Sequence, residues 1–286
     1  MKVGVKPWAH IGDALFLTGA VRNIRLKYPE IKFVWLGRDY YKPLIDRNPD
    51  FTEGTPDVVI PTVRYGDGEN VAKHGAHIQA EAEYICNALQ IAPVPFSVKT
   101  PIVYLSEEEM LSGAIYKGWW LVNANYQTIS VSKHYPHWVE VAEGMHELGF
   151  QFAQVGGNEE RDVSVTLPHA LDLRGKTTLK QWLAMIANCE GIVSPPSGIM
   201  NAGAIWNKPM VIVTGARELP AITNYPTAKY ITSDCEFKGC EAQKPEQCHY
   251  YKDGVCRCMD MPASRILDAI KAITGISFQT GCSSQV

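Results

Sequence analysis

Apolar residues along this chain fall into two alternating patterns, short continuous runs and longer stretches in which they recur at helical spacing. The clearest alternation lies in residues 171–217. Leu179, Trp182, Leu183 and Ile186 predict a helix, and Gly191–Ser194 is too short for a further helix and reads as a buried strand. Pro195 and Pro196 stop that strand, and Ser197-Gly198 opens a second helix. The run 210–214 is apolar up to its last residue, Thr214, as strands covered on both faces of a parallel sheet are. The same reading predicts strands over 2–7, 32–36, 58–61, 119–123 and 150–155. It predicts helices after the loop 8–13 and over 40–47, 80–89, 137–148 and 263–273.

Strands alternating with helices at this spacing predict an α/β fold of two facing, doubly wound Rossmann-like domains with a cleft between them. The expected division is 1–110 and 111–275, with a seam over 97–117, a cysteine-rich loop over 234–260 and a tail over 276–286. A turn at the C-terminal edge of such a sheet, feeding a helix N-terminus, is where α/β folds hold phosphorylated ligands. The segment 194–198 is therefore expected to serve a nucleotide or sugar phosphate, with a crossover that binds nothing as the alternative.

Composition narrows this picture. The chain has 286 residues, a formal net charge of -3 and no long run of one sign, which disfavours bulk electrostatic wrapping of nucleic acid. The first residues lack the apolar core of a secretion signal, and no stretch approaches the ~20 apolar residues of a membrane span, so a cytoplasmic location is expected. Five of the eight cysteines, Cys235, Cys240, Cys248, Cys256 and Cys258, lie close together. Their spacing lacks the paired CxxC knuckles of a zinc ribbon and leaves three readings open: a structural zinc or iron, disulfides, or reduced thiols.

With these elements in order, the chain resembles glycosyltransferase family 9, the ADP-heptose lipopolysaccharide heptosyltransferases and their relatives, over residues 1 to about 275. Gly12-Asp13 through Thr18 resembles the family's GD-hydrophobic-T opening, and Lys133-His-Tyr-Pro136 its KxWP-like signature. Val155-Gly-Gly-Asn-Glu-Glu160 is similar to its strand-GG-xE element. Asp172 through Leu179 and Ser197-Gly198 through Lys208-Pro209 are similar to its D-L-x-G-x-x-S-L and D-S-G-x-x-H…GKP elements. The resemblance implies a GT-B fold and inverting transfer of a sugar from a nucleotide-sugar donor, ADP-linked by preference. The acceptor is a hydroxyl on a glycan, lipopolysaccharide core, protein or modified nucleobase. It implies Asp13 as the general base, and donor contacts from Gly12, Lys133, Gly156, Glu160, Thr177, Ser197, Gly198 and Asn201. Pro196 stands where the family has Asp and Asn201 where it has His, and both departures fall around the donor sugar.

Each residue carries an alternative. Asp13 can be the base that takes an acceptor proton or a helix cap. His10 can assist it or be a polar surface residue. Lys133 can neutralise a leaving diphosphate beside a helix N-terminus, replacing a divalent metal, or be an exposed lysine. Glu160 can accept from ribose hydroxyls or be a solvated helix-start glutamate. Beside the enzyme stand two other classes of function, a non-catalytic nucleotide-sugar-binding protein and a metal-stapled interaction module.

Overall fold

A computed structural model describes residues 1–8, 10–61, 76–127, 131–157, 162–216, 218–237 and 245–275. The first unit holds β1 (Lys2–Lys6), α1 (Ile11–Lys27), β2 (Lys32–Trp35), a 3-10 turn (Asp39–Leu44), β3 (Val58–Pro61) and α2 (His77–Ala88). Its parallel sheet has the order β2-β1-β3. Val3, Val5, Phe16, Leu17, Val21, Ile24, Ile78 and Ile85 form its core between sheet and helices.

The second unit follows α3 (Glu107–Ser112). It contains β4 (Trp120–Val122), β5 (Tyr126–Gln127), a 3-10 turn (Val131–Lys133), α4 (Trp138–Glu147), β6 (Phe152–Gln154), β7 (Asp162–Val163) and β8 (Leu171–Asp172). Then come α5 (Leu179–Asn188), β9 (Gly191–Ser194), α6 (Gly198–Ile205), β10 (Met210–Gly215), β11 (Ala228–Thr232), the hairpin β12 (Tyr251–Lys252) and β13 (Val255–Cys256), and α7 (Ala263–Thr274). The main sheet has the order β11-β10-β9-β4-β6-β8, parallel throughout. The chain moves outward from β4 to β8, then returns to β9 on the other side of β4. A crevice opens beyond the carboxyl ends of β4 and β9, where strand order reverses.

Sequence explains these elements well. All residues of β9 and β10 are buried, because α5 and α6 cover one face while α4, α7 and the cysteine hairpin cover the other. Helix α5 begins at a capping box in which Thr178 accepts from the Gln181 N–H and Gln181 accepts from the Thr178 N–H. Gly191 sits where a Cβ would stand 2.6 Å from the Trp120 ring, so this indole packs flat on bare backbone.

The structure corrects several expectations. The loop 8–13 ends early: α1 starts at Ile11, so Gly12 and Asp13 lie in its first turn. The segment 40–47 forms a 3-10 turn over Asp39–Leu44 rather than an α-helix; Pro43, lying inside it, has no N–H to donate. The expected seam contains α3. Its acidic run is a helix start in which the Ser106 N–H donates to Glu109 at 2.7 Å, and α3 packs on α5. The edge strand β8 is only two residues long and β11 has no continuous apolar run, and both are strands by pairing with their neighbours.

Candidate functional site

The two units meet where the N-termini of α1 and α6 converge. A Cβ on Gly198 would stand 2.4 Å from Ile11 Cγ2, and one on Gly12 would stand 3.2 Å from Asn201 Nδ2. Side chains larger than hydrogen would push these two helix ends apart. Gly12, Gly198 and Asn201, chosen from separate stretches of sequence, are thus neighbours in space.

Asp13 lies at this junction and is 7% exposed. The His10 N–H donates to its Oδ2 at 3.1 Å, so the capping contact is present. Burial pushes the carboxyl above its ordinary value; the His10 N–H, the His10 ring and the Lys133 ammonium pull it back, and the negative charge of Glu218 adds to the rise. Capping uses one carboxylate oxygen, so the two roles expected for Asp13 are compatible. A carboxylate whose proton affinity is raised is the better base.

Lys133 ends the short 3-10 turn and reaches across to the segments that follow β9 and β10. Its Nζ donates to the Pro196 carbonyl at 2.8 Å and stands 3.0 Å from Glu218 Oε1. It is 22% exposed, and Glu218 is largely buried. Ser197, the N-cap of α6, accepts from Asn123 Nδ2 at 3.2 Å. Asn123 Oδ1 in turn accepts from the Asn125 N–H, and the Asn125 amide donates to the Gly157 carbonyl at 2.9 Å. Gly156 has φ +144°, and a Cβ there would stand 2.5 Å from Asn125 Nδ2, so only glycine fits. This chain of contacts joins the ends of β4, β6 and β9 along one rim.

Of the residues expected to serve a donor, Gly12, Lys133, Gly156, Ser197, Gly198 and Asn201 belong to this connected rim. The Asn201 carbonyl accepts from the buried Tyr225 hydroxyl at 3.1 Å, so its side chain fastens α6 to the loop before β11. Thr177 lies half-buried in the bend before α5, and no hydrogen bond among the described residues joins it to the rim. Glu160 falls outside the described residues. Sequence reasoning missed Glu218, Asn123 and Asn125. The asparagines left a signal, Asn-Ala-Asn directly after an apolar strand. Glu218 left none, because only folding brings it to Lys133.

Cys235, Cys248, Cys256 and Cys258 line one cavity of about 10 Å³, together with Ser132 and Phe237. Cys240 lies outside the described residues. Among the described residues no three His, Cys, Asp or Glu side chains are gathered closely enough to hold a metal ion. The soft donor set suits zinc or iron, whereas the sulfur positions would have to close in around one.

These features define a GT-B-like protein, two parallel α/β units with an anion-compatible rim and a buried carboxylate between them. Residues 121–251 match the model of glycosyltransferase family 9 (heptosyltransferase). Among curated proteins the chain is similar to lipooligosaccharide heptosyltransferase 2 of Haemophilus influenzae. The two are 31% identical over 91 residues, which is 29% of this chain and 26% of that protein. The aligned part therefore spans about a quarter of that relative's length. Among solved structures the fold matches ADP-heptose lipopolysaccharide heptosyltransferase II of E. coli, with TM-score 0.68, 17% identity, and 96% and 98% of the two chains covered. It also matches the iron-containing dodecameric glycosyltransferase TibC of enterotoxigenic E. coli, with TM-score 0.70, 16% identity, and 96% and 78% coverage. Among the described residues no helix is long and apolar enough to cross a membrane.

Behind the site, His77 at the start of α2 is buried, stacks on Phe16 with ring centroids 4.4 Å apart, and stands 3.8 Å from Glu81. Burial pushes its pKa down to about 4, with the Glu218 charge opposing, so the ring is neutral at pH 7 and the Glu81 contact is not a charged pair there. Because an unfolded histidine titrates near 6.5, the unfolded chain binds the extra proton between about pH 6.5 and 4 and stability falls as pH falls through that window. The expected contribution is a loss of about 2 kcal/mol between pH 7 and pH 5. Urea denaturation at both pH values checks this. His77→Gln should show a correspondingly smaller difference, and equal pH dependence in both proteins would refute a neutral His77.

Proposed function

We propose that the chain is an inverting glycosyltransferase that moves a sugar from a nucleoside-diphosphate sugar, ADP-linked by preference, to an acceptor hydroxyl. The observation that carries this reading is the buried Asp13 beside Lys133, at the junction of two helix N-termini. Residues 1–110 are the acceptor side and 111–275 the donor side. The family 9 match over 121–251 and the heptosyltransferase relatives support the reaction class. The E. coli enzyme of the same fold is named for ADP-heptose, which supports an adenine nucleotide.

In this reading the diphosphate lies against the N-terminus of α6, where the helix dipole favours negative charge. Lys133 neutralises the charge that grows on the leaving phosphate, so the residues themselves supply what a divalent ion would otherwise supply. Asp13 takes the proton of the acceptor oxygen as that oxygen attacks the anomeric carbon. The carbon–oxygen bond to the phosphate breaks on the opposite face, with inversion. Its burial serves the step twice, by raising its proton affinity and by excluding water that would hydrolyse the donor. The replacement of the family's Asp and His by Pro196 and Asn201 gives the donor-sugar end a different set of contacts, so the transferred sugar need not be a heptose.

The cysteine hairpin holds a structural zinc or iron in the same reading. Four of Cys235, Cys240, Cys248, Cys256 and Cys258 supply the sulfurs, and the fifth is spare. The shared cavity and the iron of TibC support it. A bound ion would cross-link the segments that carry Cys235 and Cys248 to the one that carries Cys256 and Cys258.

Asp13→Asn should lower turnover roughly 100-fold while ADP binding changes little. A product assay on a panel of nucleotide sugars, with calorimetry for ADP, checks this, and turnover close to the unmutated rate would assign Asp13 to capping alone. Lys133→Ala should weaken ADP roughly tenfold and adenosine hardly at all, since the ammonium faces the phosphates. Equal losses for both ligands would remove Lys133 from that position. Elemental analysis of protein purified without chelator should find about one zinc or iron per chain. Less than ~0.2 per chain would leave the cluster as thiols or disulfides.

A further inference from the structure

Glu218 lies just after β10, and its carboxylate is buried at 7% exposure. Its Oε1 stands 3.0 Å from Lys133 Nζ, on the ammonium that also donates to the Pro196 carbonyl. Both halves of this ion pair are held from behind by the cysteine hairpin. Ser132, next to Lys133, lines the same cavity as Cys256 and Cys258. Gly215, three residues before Glu218, packs so closely that a Cβ would stand 3.1 Å from the Cys258 carbonyl. The pair is therefore anchored at both ends.

A carboxylate in this place works against anion capture. Asp13 and Glu218 put two negative groups around the single ammonium of Lys133, while His77 is kept neutral by burial. Removing Glu218 from water costs desolvation energy, which the lysine offsets only while the two remain together. A diphosphate arriving at the rim needs the same cation. Lysine suits an exchange of partners, because its ammonium carries three donors on a flexible stem.

We propose that Glu218 competes with the nucleotide's diphosphate for Lys133 and so promotes release of the nucleoside diphosphate after transfer. The proposal rests on the donor-site reading above. Before donor binds, Glu218 satisfies the lysine. In the donor complex the ammonium turns toward the phosphates, and once the sugar has left, the carboxylate reclaims it. Glu218 is thus a positioning residue acting through Lys133, and its effect falls on departure of the product more than on bond breaking.

The sign of the effect separates this role from a structural one. Losing a structural support weakens a ligand, whereas losing a competitor tightens it. Calorimetry with ADP and with adenosine on the full chain should show Glu218→Gln binding ADP about tenfold more tightly than the unmutated protein, with adenosine unchanged. Product inhibition by ADP should rise in parallel. Unchanged or weaker ADP binding by a folded Glu218→Gln protein overturns the proposal. Should that variant fail to fold, Glu218→Asp keeps the charge but withdraws it from Lys133 by one methylene. It should tighten ADP about threefold, and no tightening there overturns the proposal equally. Failure of the unmutated protein to bind ADP at all would instead overturn the donor-site reading, and this proposal with it.

Discussion

Everything at the site depends on how closely two helix N-termini can approach. Helices α1 and α6 come from different sheets, and their first turns touch at Ile11, Gly12 and Gly198. The contact is tight enough that a single methyl on Gly198 would overlap Ile11. That closeness has an electrostatic consequence. Two positive helix ends and the Lys133 ammonium share a small volume with the buried carboxylates of Asp13 and Glu218, so opposite charges are held close together away from water. It also has a packing consequence. Ala14 and Leu15 of α1 join Leu183, Ile186, Ile199 and Met200 in one core, so the first unit is fastened to the second by buried apolar surface beside the polar site.

The remaining polar groups follow from the cost of burial. Asp13, Glu218 and Asn201 are all nearly inaccessible, and each has an identified partner: the His10 N–H, the Lys133 ammonium and the Tyr225 hydroxyl. Such groups define positions sharply, because moving one strands the other. The same economy operates under the first unit, where buried Asp50 stands 2.8 Å from Arg22 Nε and 3.8 Å from Arg25 Nε. That pairing ties the loop after the Asp39–Leu44 turn to α1, and so helps set the direction in which α1 delivers Asp13.

The cysteine hairpin belongs to this economy rather than standing apart from it. Cys256, Cys258 and Met259 pack into the core on the face of the main sheet opposite α5 and α6, beneath the turn that carries Lys133. Whatever state the four sulfurs adopt, they are wedged between the end of β10 and the 3-10 turn at Val131–Lys133. Mechanical support for the lysine and its carboxylate partner therefore comes from a loop rich in polar residues, which has little other apolar content with which to order itself.

Local pattern was enough to determine the alternation of strands and helices. Apolar runs such as 210–214 can only be buried strands, and Leu179, Leu183 and Ile186 fall on one face of a helix whatever surrounds them. Motif order also pointed to the rim: Gly12, Asp13, Ser197 and Gly198 follow strand ends that the pattern located, and Lys133 was marked by the resemblance of residues 133–136 to a family signature. Three things required tertiary structure. The start of α1 at Ile11 depends on how its first turn packs against Gly198, so sequence placed Asp13 in a loop. The packing of Glu107–Ser112 against α5 is a tertiary fact, although the Ser106–Glu109 capping box that starts this helix is local. The partnership of Glu218 with Lys133 joins residues 85 positions apart in the chain, and no local periodicity encodes such a distance. Charge pairing across a crevice is a property of where strands end in space, and strand order becomes fixed only when the sheet closes.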